Sequence, residues 1–203
     1  MSLKNFFIAI VLGSGLAAGL FVATRLSQPP ALSTAFEIPV ATGLPEFELQ
    51  DQLGPPVSAA TFEGQWDLLF FGFTHCPDIC PTTLQTLSTA RRELSADGAG
   101  ELPRIVLVSV DPERDDAASV GRYVEHFGDE NLGVTGSITE LRKLTGALGI
   151  YFEKAPMDGG TYNVDHSAAV IVIDPAGKFS ALFSAPLRVE DLLNDLPLLM
   201  GRR

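Results

Sequence analysis

The chain has 203 residues, enough for one well-packed domain and short for two. Its composition is globular, with 46% hydrophobic and 19% charged residues, which excludes a disordered or fibrous protein. The net charge is −11, and apart from Lys4 and Arg25 the basic residues number 12 against 25 acidic ones, a poor surface for phosphate, so nucleic acid is excluded as a partner.

The first element is an uncharged run, Phe6–Thr24, 19 residues long. At the helical rise it spans about 28 Å, close to a bilayer core. Ala17-Ala18-Gly19 offers a small-residue cleavage site, but the apolar run exceeds the usual core of a secretion signal, and the reading is an uncleaved anchor. Lys4 and Arg25 bracket it, and the bulk of the chain follows it. The expected arrangement is a single-pass bacterial inner-membrane protein, with a cytoplasmic N-terminus and a periplasmic domain. The chain divides on this reading into an anchor (1–25), a Pro- and Ser-rich tether (26–42) and one domain (43–203).

Within the domain, Glu46–Asp51 alternates as a strand, and 52–56 turns. Trp66–Phe73 is nearly all apolar, as in a strand buried on both faces of a sheet. Pro81–Ala96 reads as a helix, with Leu84, Leu87 and Leu94 on one side. Arg104–Val110 is a second buried strand, followed by a helix over Ala117–Phe127. Ser137-Ile138-Thr139-Glu140 is a capping box that opens a helix to about Leu148. Ala168–Asp174 is a third buried strand, paired through the turn 174–177 with Lys178–Phe183. Val189–Met200 closes the chain as a helix disturbed by Pro197. Strands alternating with helices, then a hairpin, imply an α/β domain with a mixed central sheet flanked by helices.

The only two cysteines, Cys76 and Cys80, follow the first buried strand and precede a helix. Ligands gather at such strand ends, and the helix N-terminus favours a thiolate. In an oxidising compartment the pair could be a structural disulfide, a redox couple or a metal clamp. Pro81 places both thiols on the loop leading into a helix that starts at Pro81. Of three histidines, His75 adjoins Cys76 and should point away from it, and His126 lies in a helix. His166 opens the third strand, 86 residues beyond Cys80, and could approach the cysteine loop across the sheet. Two thiolates and one imidazole would suit copper, as Cu(I) or Cu(II), better than a four-ligand structural zinc.

The stretches FGFTHCPDICP, VSVDPERD and VDHSAAVIVID, in this order, resemble the Sco/SenC family of copper proteins that help assemble cytochrome c oxidase. The resemblance covers about residues 40–200. It implies a thioredoxin-like fold in which Cys76, Cys80 and His166 bind one copper. It also implies a role in delivering copper to the dinuclear copper A site of oxidase subunit II, or in reducing the cysteines of that site. As a reductase, Cys76 and Cys80 would be the catalytic pair. Two features depart from ordinary thioredoxins: CxxxC replaces CxxC, and Asp165-His166-Ser167 stands where a proline commonly faces the thiols. Asp78 and Asp111 are candidates to tune the site, with turn and cap duty as the simpler expectation. A peroxidase reading lacks the proline expected before its reactive cysteine.

Overall fold

The computed structural model describes residues 4, 7, 13, 15, 19–21, 30–98 and 100–201. The chain divides into two compact units, 1–31 and 32–203. The anchor expected over Phe6–Thr24 lies largely outside the described residues. Among the described residues no helix is long and apolar enough to cross a membrane.

The second unit is built on an eight-stranded mixed sheet. Its strands are β1 (Phe36–Gly43), β2 (Leu49–Asp51), β3 (Pro56–Val57), β4 (Asp67–Gly72), β5 (Arg104–Ser109), β6 (Leu132–Thr135), β9 (Val170–Ile173) and β10 (Lys178–Phe183). Their order across the sheet is β1-β10-β9-β4-β5-β6-β2-β3. β7 (Phe152–Pro156) and β8 (Tyr162–His166) form a separate antiparallel hairpin. The helices are α1 (Ile79–Ala96), α2 (Ala117–Glu125), α3 (Ile138–Leu148) and α4 (Val189–Met200).

β4, β5 and β6 run parallel, Leu68 beside Ile105 and Val106 beside Leu132. Right-handed crossovers therefore put α1 and α2 on one face of the sheet. β9 lies antiparallel against β4, with Phe70 opposite Val170. Every residue of β4 and β9 is buried, which explains their largely apolar sequences; the exception, Asp67 at the start of β4, pairs with Arg104. The core runs through Phe62, Phe70, Phe71, Phe73, Leu84, Leu87, Leu107 and Phe183. From α1 it takes Cys80, Thr83, Leu84, Leu87, Ala90 and Leu94, one stripe at helical spacing.

Several expectations change. β1 occupies residues read as tether, because Phe36–Gly43 pairs with β10 through a bulge between Glu37 and Thr42. β6 and the β7–β8 hairpin fall in stretches where no strand was expected. α1 starts at Ile79, not Pro81. The first turn of a helix has no intrahelical partner for its N–H groups, so Pro81 loses nothing as the third helical residue. The first bond of this helix runs from the Thr82 N–H to the Asp78 carbonyl at 3.2 Å. Cys80 thus belongs to the helix and Cys76 to the loop before it. The Ser137 hydroxyl does accept from the Glu140 N–H, as a cap should, but the Glu140 carboxylate binds the Glu48 N–H and Lys143 instead of closing the box.

The entry to β1 is pinned by α4. Asp195, fully buried, accepts from the N–H groups of Ser33, Thr34 and Ala35 at 2.7–2.8 Å.

Candidate metal centre

β4 ends at Gly72, and Phe73-Thr74-His75 carries the chain to Cys76. The N–H of Cys76 donates to the Phe73 carbonyl at 3.2 Å, closing a tight turn. Cys80, in the first turn of α1, gives its own N–H to the Cys76 sulfur at 3.3 Å. That N–H is one of the unpaired donors of a helix N-terminus, spent here on sulfur. Cys80 is fully buried and its sulfur rests over Gly72. A Cβ on Gly72 would stand 2.8 Å from that sulfur, so only glycine leaves room for it.

β8 brings His166 to the same spot. Its Nε2 lies 3.7 Å from the Cys80 sulfur. Its Nδ1 lies 3.2 Å from the Ser167 carbonyl, which can only accept. A proton on Nδ1, where the Ser167 carbonyl can accept it, is the tautomer that leaves Nε2 free for a metal. The Phe70 and Phe73 rings meet His166 edge-on, with centroids 6.0 and 5.8 Å away, and fix its plane.

The donor atoms of Cys76, Cys80 and His166 all lie within 4.8 Å of one another. With metal–donor bonds of about 2.0–2.3 Å, trigonal donors stand about 3.5–4 Å apart. The set fits a single three-coordinate soft ion with sub-ångström closure. The two thiols differ sharply. The Cys80 thiol donates to Cys76 and holds it down to about 3, against the opposing effect of partial burial and with help from His166 and the backbone N–H groups of Cys80 and Asp78. The neighbouring Cys76 thiolate, and then burial, push Cys80 above the ordinary thiol range. Both cysteines are free.

The other candidates fall elsewhere. The Asp78 side chain is exposed and stands outside the donor cluster. Asp111 is buried but binds Arg114 and accepts from the Tyr162 hydroxyl at 2.8 Å. Arg114 also donates to the Tyr162 carbonyl at 3.0 Å and stacks 3.8 Å over its ring. Asp111 thus anchors the hairpin that carries His166, and does not reach the donors. His75 is exposed and faces Asp115, away from the cluster. His126 caps α2, its Nδ1 2.6 Å from the Arg122 carbonyl.

Sequence reasoning missed Asp115. Fully buried, it accepts from the Thr74 N–H at 2.8 Å, the Thr74 hydroxyl at 2.5 Å and the Ser109 hydroxyl at 2.7 Å. It clamps the cysteine loop to the end of β5. Its signal was present: it is the last acid of VSVDPERD, placed just after a buried strand.

A groove of about 260 Å³ opens beside the donors, between Cys76, Pro77, Asp78 and Ile79 on one side and Asn163–His166 on the other.

Comparison with known proteins agrees with this geometry. A family model described as SCO1/SenC matches residues 38–201. The mouse protein named "Protein SCO2 homolog, mitochondrial" is 39% identical over 157 residues, covering 77% of this chain and 62% of its own length. The present chain thus spans less than two thirds of that relative. A "putative copper-binding protein" of Stutzerimonas stutzeri is 37% identical over 160 residues, covering 79% of this chain and 78% of its own. Among solved structures, Arabidopsis thaliana ScoI with copper bound superposes with a TM-score of 0.75 at 31% identity, over 79% of this chain and 99% of that one. Bradyrhizobium japonicum ScoI with copper bound gives 0.68 at 33% identity, over 77% and 98%. With a thioredoxin-like mixed α/β fold and a Cys-Cys-His cluster able to hold a metal ion, this chain belongs to the SCO1/SenC family.

Proposed function

We propose that the protein is a copper chaperone, anchored in the bacterial inner membrane with its domain in the periplasm. It binds one copper through Cys76, Cys80 and His166 and serves assembly of the dinuclear copper A site of cytochrome c oxidase subunit II. The observation that carries this reading is the convergence of the Cys76, Cys80 and His166 donor atoms, all within 4.8 Å of one another. Two soft thiolates and an imidazole suit Cu(I) in trigonal coordination and are poor ligands for hard ions such as Mg²⁺ or Ca²⁺. The groove beside Cys76 leaves the site open to an incoming ligand, as release of a cargo metal requires. The uncharged run Phe6–Thr24 and the acidic domain support the anchor and the periplasmic placement.

The test is a Cu(I) titration of the reduced full chain in detergent against a competing chelator, beside His166→Ala and Cys80→Ser. One tight copper per chain is expected, weakened at least a hundredfold in both variants. Binding that ignores His166 would overturn the reading.

The unequal thiols favour a second reading, a thiol–disulfide reductase. The Cys76 thiolate would attack a partner disulfide and release one partner thiol. Cys80, after losing its proton, would then attack Cys76, forming the Cys76–Cys80 disulfide and releasing the second partner thiol. His166→Ala separates the two roles, since exchange tolerates its loss and copper binding does not.

A further inference from the structure

Both arms of the metal centre rest on one turn. Asp111–Asp115 leaves β5 and closes on itself, the Arg114 and Asp115 N–H groups donating to the Asp111 carbonyl at 3.1 and 2.9 Å. Its side chains divide between the arms. Asp115 accepts from the Thr74 N–H and hydroxyl, and so holds the cysteine arm. Asp111 accepts from the Tyr162 hydroxyl, and Glu113 pairs with Lys154, so both hold the hairpin that carries His166.

Arg114 touches both arms. Its guanidinium lies 3.8 Å over the Tyr162 ring, on the strand of His166, and donates to the Tyr162 carbonyl at 3.0 Å. The same guanidinium lies 5.6 Å from the centroid of the Phe73 ring, on the loop that leads to Cys76. Phe73 in turn meets the His166 ring edge-on. The contacts run from Tyr162 through Arg114 and Phe73 to the imidazole. Hydrogen bonding is not what this placement serves best, because Arg114 Nη2 is buried with no partner among the described residues. What the placement provides is a cation held against two rings.

The hairpin needs such a fixture. β7 and β8 share no ladder with the main sheet, so side chains alone seat them. Phe152 and Val164 are buried in the core, but apolar contact is non-directional and does not aim a ring. The Glu113–Lys154 pair is largely exposed and constrains little. A planar guanidinium can stack, donate to a carbonyl and pair with a carboxylate at once. An ammonium on a flexible stem cannot.

We propose that Arg114 is a positioning residue of the metal centre. Stacked between Tyr162 and Phe73, it sets where the His166 imidazole stands relative to the two sulfurs. It thereby decides whether a copper ion there takes three ligands or the two sulfurs only. The proposal rests on the copper reading of the site.

The test is Arg114→Lys in the reduced full chain in detergent. Lysine keeps the cation that buried Asp111 needs and removes the planar stack. Cu(I) affinity should fall about 10- to 100-fold in chelator competition. X-ray absorption of the Cu(I)-loaded variant should show weaker imidazole scattering than the wild type. In the metal-free protein, the His166 ring resonances should shift or broaden. Alkylation of Cys76 by iodoacetamide at pH 7 should stay within about twofold of wild type, because the clamp from Asp115 to Thr74 is untouched. A merely structural role would move both arms together. Tyr162→Leu, which removes one face of the stack, should reproduce the loss, and it carries the test if Arg114→Lys does not fold. Tyr162→Phe keeps the ring and should retain the imidazole scattering. Wild-type affinity and scattering in Arg114→Lys would overturn the proposal. So would a Cys76 rate altered as strongly as the His166 signals. A wild type that itself lacks imidazole scattering would overturn the copper reading, and this proposal with it, so the two failures are told apart.

Discussion

Cys76 and Cys80 sit four residues apart and differ in chemistry because one ends a loop and the other starts a helix. Cys76 collects hydrogen bonds to its sulfur; Cys80 supplies them and is sealed over Gly72. With its pKa lowered from the ordinary 9 to about 3, Cys76 is a thiolate across the working pH range. Alkylation of the reduced, metal-free protein by iodoacetamide should therefore modify Cys76 first, at a rate nearly flat from pH 5 to 8 and falling only on approach to pH 3. An ordinary thiol would instead gain about tenfold per pH unit over that range. Such a tenfold rise for Cys76, or faster labelling of Cys80, would contradict the assignment. The three donors were legible as candidates because cysteine and histidine are scarce in this chain. Their meeting point was not, since spacing says nothing of how β8 crosses the end of β4. Only resemblance joined His166 to the cysteines.

At the scale of elements, the site depends on two supports outside the donor set. Asp115 ties Thr74, and so the cysteine loop, to Ser109 at the end of β5. Asp111 and Arg114 tie the hairpin that carries His166. Asp115→Ala removes the acceptor of three donors and frees the loop. It should weaken Cu(I) binding about 10- to 100-fold in chelator competition, the usual effect of losing a residue that orients ligands, while circular dichroism retains the native fold. Copper affinity unchanged within twofold would show that the loop holds its shape without this clamp. These supports were opaque for a physical reason. A buried aspartate in a turn reads like any solvated acid until the strands it bridges are known. The same limit hid β1, β6 and the β7–β8 hairpin. β1 carries Pro39 and lacks alternation because it is an exposed edge, and β6 is short. β7 (Phe152-Glu153-Lys154-Ala155-Pro156) is mostly solvent-facing and carries a charged pair and a proline because the hairpin stands off the main sheet. By contrast β4, β5 and β9 were read nearly to their ends, since strands buried on both faces are apolar along most of their length.

Across the whole molecule, long-range polar contacts decide where the domain begins. Burial alone would raise the Asp195 carboxyl, but the N–H groups of Ser33, Ala35 and Thr34 outweigh it and leave the group below its ordinary 3.8. A depressed carboxyl contributes stability that is complete above the unfolded value and lost as pH falls through the folded one. Asp195→Ala also strands three backbone donors, so urea unfolding at pH 7 should show a loss of about 2–4 kcal/mol. The deficit should shrink as pH drops below 4. A loss under about 0.5 kcal/mol would mean that β1 holds its place by pairing with β10 alone. No periodicity in Val189–Met200 could reveal this, because the partner segment lies about 160 residues earlier.

The central claim is that one copper is held by two sulfurs and one imidazole at the junction of β4, α1 and β8. X-ray absorption at the copper edge of the Cu(I)-loaded full chain tests it most directly. The account predicts a three-coordinate spectrum with two sulfur neighbours and one nitrogen showing imidazole outer-shell scattering, and loss of that scattering in His166→Ala. A two-coordinate, all-sulfur spectrum identical in the wild type and His166→Ala would contradict it.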